Sequence, residues 1–91
     1  MSHNSKNCGR KKTIYSIQDY NDVVGYIGQT SNVERRFARH LDPSRRMIRK
    51  VDRWIASAGG VTFGILEVCD WCIAGKQEVK WKKRLRPVVM D

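Results

Sequence analysis

The sequence predicts a single α+β domain, a small three-stranded antiparallel β-sheet flanked by helices in the order β-β-α-α-β-α. Three observations predict it. Residues 13–18 (TIYSIQ) and 23–27 (VVGYI) are β-rich and flank the turn formers Asp19-Tyr20-Asn21-Asp22, the pattern of a hairpin. Three later segments repeat apolar residues at helical spacing, each with a start or stop signal. A third β-rich run, residues 61–69 (VTFGILEVC), lies between the second and third of these segments. A chain of 91 residues buries roughly two-thirds of its unfolded surface, enough for one modest core.

Residues 1–12 are polar, basic and patternless, and are expected to form a flexible arm ahead of a domain at 13–91. After the hairpin, Gly28 is expected to let the backbone turn sharply. Ser31 and Glu34 then form a capping box at the start of a helix. Val33, Phe37 and Leu41 give that helix its buried stripe. At about 100° per residue, Arg36 and His40 share one edge of the stripe, while Arg35 and Arg39 turn to solvent. The two adjacent arginines are therefore not equivalent.

Asp42 as N-cap and Pro43 at the first helical position open a second helix. Its inner face is Met47, Ile48, Val51, Trp54, Ile55 and Ala58, and Gly59-Gly60 ends it. The apolar residues of 61–69 fall on both sides of the strand, which predicts a well-covered one. Asp70 is expected to cap a last helix that runs to about Arg86, where Pro87 stops it. On that helix Trp71, Ala74, Trp81 and Leu85 occupy one stripe about 80° wide, and Glu78 falls inside it. A carboxylate on a face meant for burial is costly unless it is paired or bound to a metal. A salt bridge to a nearby Arg or Lys and a ligand role both remain open at this point.

Charge gives the first functional direction. Eighteen Lys and Arg against nine Asp and Glu leave +9, a field that attracts polyanions such as nucleic acid. Beyond the basic arm, Arg45, Arg46, Arg49, Lys50 and Arg53 form one cluster and Lys80, Lys82, Lys83, Arg84 and Arg86 another. Arg45, Arg46, Arg49, Lys50, Arg53, Lys82 and Lys83 are the candidate nucleic-acid contacts. No apolar run approaches the ~20 residues of a membrane span, and the polar start has no signal-peptide core. A cytoplasmic protein with no membrane partner is expected. Cys69 and Cys72 with Cys8 and His3 would make four zinc ligands, but a single CxxC with partners in the arm favours ordinary reduced thiols.

Thr13-Ile14-Tyr15 and Tyr26-Ile27-Gly28, with Arg36 ten residues after the second tyrosine, His40 four further and Glu78 followed by Trp81, resemble the GIY-YIG nuclease superfamily. The resemblance runs from residue 13 to about 87. It implies phosphodiester hydrolysis with one divalent metal, Mg²⁺ or Mn²⁺, per active site. It further implies catalytic roles for Tyr15, Tyr26, Arg36, His40 and Glu78, with Glu78 the metal ligand. Duplex DNA is the implied substrate, and a homodimer is one way to cut both strands. Either tyrosine can be the general base, its pKa lowered by Arg36 and the metal. Thr13 stands where the family has its first glycine, and Met90 about where it often has an Asn after the last helix. No second, sequence-reading domain is evident, and the end soon after Pro87 also fits a piece of a longer nuclease. The alternative function is a catalytically silent nucleic-acid-binding module of the same fold.

Overall fold

The structure, a computed structural model, describes residues 9–42 and 49–90. Strand β1 is Lys11–Asp19, β2 Val24–Thr30, helix α1 Val33–His40, α2 Lys50–Ala58 and β3 Val61–Asp70; a 3-10 turn, Trp71–Ile73, leads into α3, Ala74–Leu85. The three strands form one antiparallel sheet in the order β2-β1-β3. The expected α+β architecture is therefore present.

β1 sits in the centre because its residues are apolar on both faces. Ile14, Tyr15, Ser16 and Ile17 are all buried, and successive side chains point to opposite sides. Tyr15 and Ile17 join Tyr26, Val51 and Val89 in one cluster, which Phe37 of α1 and Trp54 and Ile55 of α2 cover. Ile14 joins Ile27, Cys69 and Ala74 in a second cluster under Trp81 and Leu85 of α3. Helices α1 and α2 thus cover one face of the sheet and α3 the other. At the hairpin, Asp19 Oδ1 accepts the backbone N–H groups of Asn21 and Val23, and Asp22 takes the left-handed conformation.

Several local expectations are corrected. β1 begins at Lys11, and Arg10 and Lys12 lie over the Trp71 ring, so these residues belong to the folded unit. Asn32, not Ser31, caps α1: its Oδ1 accepts the Arg35 N–H at 3.0 Å. Thr30 Oγ1 bonds both the N–H and the carbonyl of Asn32, which holds that residue in the extended conformation a cap requires. Leu41 lies past the last helical residue and is exposed. Pro43, Met47 and Ile48 lie outside the described residues. α2 begins at Lys50, because Arg49 is extended and Asp52 accepts its N–H at 3.2 Å. Gly59 and Gly60 end the helix as expected, both at positive φ.

β3 is an edge strand, and Ile65 and Val68 stand exposed on it, which corrects the well-covered reading. Asp70 makes no cap; its carboxylate pairs with Lys11 Nζ at 2.7 Å, and α3 starts only at Ala74. Leu85 is the last residue of α3, before left-handed Arg86 and buried Pro87. The tail then straps β2: Val88 and Val89 donate their N–H groups to the carbonyls of Val24 and Gly25. Cys69 is a buried free thiol, whereas Cys72 is disulfide-bonded, which corrects its reading as a reduced thiol. Among the described residues no helix is long and apolar enough to cross a membrane.

Candidate active site

Tyr15 and Tyr26 come from neighbouring strands, with Tyr15 opposite Gly28 and Ile17 opposite Tyr26 in the register. Their rings are 6.2 Å apart, on the face that α1 covers. Gly28 is no turn. It lies within β2, at a point where the Tyr15 hydroxyl needs its space. A Cβ there would stand 2.7 Å from Tyr15 Oη and 2.9 Å from Tyr26 Cε2. Glycine is required by close approach, not by backbone conformation.

His40 reaches the same point from the last turn of α1. Its Nε2 lies 2.9 Å from Tyr15 Oη, and its ring is 5.7 Å from that of Tyr26. Burial first, and then the guanidinium of Arg36, depress the imidazole pKa to about 4. The ring is therefore neutral at pH 7, and Nε2 can accept the phenol proton. Tyr15 is pushed up to about 12, by burial first and then by Tyr26; Arg36 pulls the other way and loses. The expectation that Arg36 lowers the tyrosine is thus right in sign, but burial outweighs it. A phenol near 12 beside an imidazole near 4 is a donor held by an acceptor, with the proton on oxygen.

Arg36 is half-buried, while Arg35 and Arg39 are exposed, as the helical phase requires. Arg36 Nη1 makes a long 3.5 Å contact to the carbonyl of Gln29. The Gln29 side chain points to the opposite face, where its Nε2 donates to Glu78 Oε1 at 2.8 Å. One residue of edge strand β2 thereby joins the Arg36 side of the site to the Glu78 side. Sequence reasoning missed Gln29, although alternation from Ile27 places it on the α3 face.

Glu78 is held from two directions. Lys82 Nζ lies 2.7 Å from its Oε2, and both side chains are less than one-fifth exposed. The salt-bridge reading of Glu78 is thus realised, and Lys82, expected as a surface nucleic-acid contact, is instead the partner in that bridge. α3 is itself pinned by Glu67 of β3, whose carboxylate accepts Gln77 Nε2 and Trp81 Nε1, both at 2.8 Å. These two bonds hold the Glu67 pKa below the usual carboxylate range.

Among the described residues no three of His, Cys, Asp and Glu converge, so a cage for an ion such as Zn²⁺ is not formed there. Mg²⁺ asks for less. It keeps several waters and binds through one or two carboxylates together with substrate phosphates. The single carboxylate of Glu78, oriented by the N–H of the Gln29 amide, fits that requirement. Around His40, a shallow cationic depression is lined by Arg36, Arg39, Arg49, Val51 and Asp52. A second, sharing Arg36 and Arg39, is lined by Thr30, Ser31, Asn32 and Arg35. Arg49, Lys50, Arg53 and Lys83 are exposed, and Arg45 and Arg46 lie outside the described residues. Met90 is exposed at the end of the tail and brings no polar group to the cluster.

A family model described as the GIY-YIG catalytic domain matches residues 11–90. No curated protein and no solved structure matches the chain significantly.

Proposed function

The chain belongs to the GIY-YIG catalytic domain family, and from that premise we propose that it is a divalent-metal-dependent endonuclease that hydrolyses phosphodiester bonds in duplex DNA. The observation that carries this reading is the linked set Tyr15–His40 and Arg36–Gln29–Glu78, which gathers a proton path, a cation and a carboxylate around β2.

Glu78 is the residue that would hold Mg²⁺ or Mn²⁺, one per site, to polarise the scissile phosphate and stabilise the leaving oxygen. Arg36 binds a non-bridging phosphate oxygen and offsets charge that grows in the transition state. Tyr15 takes a proton from the attacking water at Oη while its own proton passes to His40 Nε2. The arriving phosphate neutralises Arg36, which removes one of the causes that keep His40 neutral. Tyr26 is the alternative base, and Tyr15→Phe and Tyr26→Phe compared side by side separate the two. Arg49, Lys50, Arg53 and Lys83 contact flanking phosphates.

The pairing of Glu78 with Lys82 favours a second reading, a silent nucleic-acid-binding module. Plasmid incubated with and without Mg²⁺ or Mn²⁺ decides between them. The nuclease reading expects metal-dependent open-circular product before linear, because one site cuts one strand; linear product with no nicked intermediate would mean that two chains act together. Binding without any cleavage in either metal supports the silent module.

A further inference from the structure

Lys11 and Lys82 each pair with a carboxylate at 2.7 Å, yet the two pairs differ in setting. The Lys11 and Asp70 side chains are 67% and 44% exposed, and water and salt screen them. Those of Lys82 and Glu78 are 16% and 18% exposed. The latter pair also occupies the carboxylate to which the metal is assigned. We propose that Lys82 is a built-in cation that holds Glu78 until a divalent metal displaces it, so that the strength of this pair sets metal affinity and couples it to DNA binding. The inference rests on Glu78 being the metal ligand.

The geometry gives three reasons. Both carboxylate oxygens are engaged, Oε1 by the neutral amide of Gln29 and Oε2 by the ammonium. A dication can share the carboxylate with an amide, but an ammonium on the adjacent oxygen repels it, so Lys82 must yield. The i,i+4 spacing keeps both residues on one ridge of α3, with Glu on the N-terminal side, the favourable order for such a pair. A lysine is a point charge on a flexible four-carbon stem, so it can leave the carboxylate without moving the helix.

The consequence is cooperative. While no metal is bound, the ammonium neutralises a carboxylate that would otherwise repel phosphate. When DNA arrives, a phosphate offers the ammonium another anion, which releases Glu78 to the metal. Metal and DNA therefore each raise the other's affinity, by the same factor. Lys82 acts through Glu78 in this scheme and is a positioning residue.

The test is a Mn²⁺ titration of the full chain, with the free ion followed by electron paramagnetic resonance. It is run with and without a short DNA duplex on wild type, Lys82→Met, Lys82→Gln, Lys80→Met and Glu78→Gln, each first checked for a wild-type circular dichroism spectrum. Without DNA, both Lys82 variants should bind Mn²⁺ about fivefold more tightly, the scale of one ion pair. Lys80→Met, which removes the same charge from an exposed position of α3, should not. DNA should raise the Mn²⁺ affinity of wild type and change that of the Lys82 variants far less. Unchanged or weaker affinity in both Lys82 variants, with binding lost in Glu78→Gln, overturns the role of Lys82 and leaves the metal assignment standing. Wild-type affinity in Glu78→Gln overturns the metal assignment itself, and this inference with it.

Discussion

Tyr15 Oη and His40 Nε2 meet at 2.9 Å, from a buried central strand and the last turn of α1. Their pKa values are displaced in opposite directions by the same burial, about 12 for the phenol and about 4 for the imidazole. Burial disfavours whichever form is charged, so both groups are kept neutral. The pair therefore stores a proton on oxygen at pH 7.

A late phenol follows. Phenolate absorbance recorded just after a jump to alkaline pH should include a step near pH 12 that disappears in Tyr15→Phe. Above about pH 10 the unfolded chain binds fewer protons than the folded one, so stability falls as pH rises toward 12. The reading must therefore precede unfolding. Persistence of the late step in Tyr15→Phe would place it on another residue.

The imidazole predicts an acid effect of opposite sense. Folded His40 titrates near 4 against an ordinary value of 6.5, so between those values the unfolded chain holds more protons. Stability from this group is fully present above about pH 6.5 and is lost as pH falls through 4. Arg36, Arg49 and Arg39 oppose the protonated form and Asp52 favours it. Melting temperatures of wild type should thus drop relative to His40→Gln between pH 6.5 and 4.5. Parallel curves for the two proteins across that window would remove His40 as the source.

Gly28 supplies a steric prediction. The missing Cβ lies within 3 Å of the Tyr15 hydroxyl and of ring atoms of both tyrosines. Gly28→Ala should cost about 1 to 3 kcal/mol by overpacking, and should dislodge the Tyr15–His40 contact. Gly75, near the start of α3, has nothing within 4 Å of its own missing Cβ and does not sit at positive φ. Gly75→Ala should stabilise by about 0.5 to 1 kcal/mol through the unfolded chain's entropy. Thermal denaturation of the two variants, expected to shift in opposite directions, checks both.

The sequence made the sheet and the order of elements legible because β1 and β2 are short β-rich runs on either side of an unmistakable turn. The helical phase of α1 separated Arg36 from Arg35 correctly, since a single helix fixes relative direction by arithmetic. Contacts between elements were less legible. Gln29 holds Glu78 only because α3 packs on the face of β2 that Gln29 shares with Ile27, and one-dimensional spacing does not encode that docking. Lys82 looked like one more charge of a basic run, and only burial distinguishes it from Lys83. Asp70 read as a cap because it precedes a helix-like pattern, but Lys11 opposite it on β1 offered a charged partner instead.

The contrast between Arg35 and Arg36 tests the active-site assignment most directly, since composition and net charge treat the two alike. Arg36 is half-buried and reaches the Gln29 carbonyl; Arg35 is exposed, at the rim of a shallow depression. If Arg36 stabilises charge on the transferring phosphoryl group, Arg36→Ala should lower the single-turnover cleavage rate by about a hundredfold or more. Arg35→Ala removes only a screened surface charge. It should weaken DNA binding modestly at low salt and leave the cleavage rate at saturating DNA within about threefold of wild type. Glu78→Gln keeps the side chain's size and its contact with Gln29 but loses the charge that would hold a metal. It should abolish cleavage while DNA binding in metal-free buffer is kept or slightly improved, because Lys82 loses its anionic partner and is left to phosphate. Single-turnover rates at saturating DNA, measured with binding isotherms on the same three variants, separate these outcomes. Equal losses in Arg35→Ala and Arg36→Ala, or an active Glu78→Gln protein, would mean that the reacting phosphate lies elsewhere on the domain.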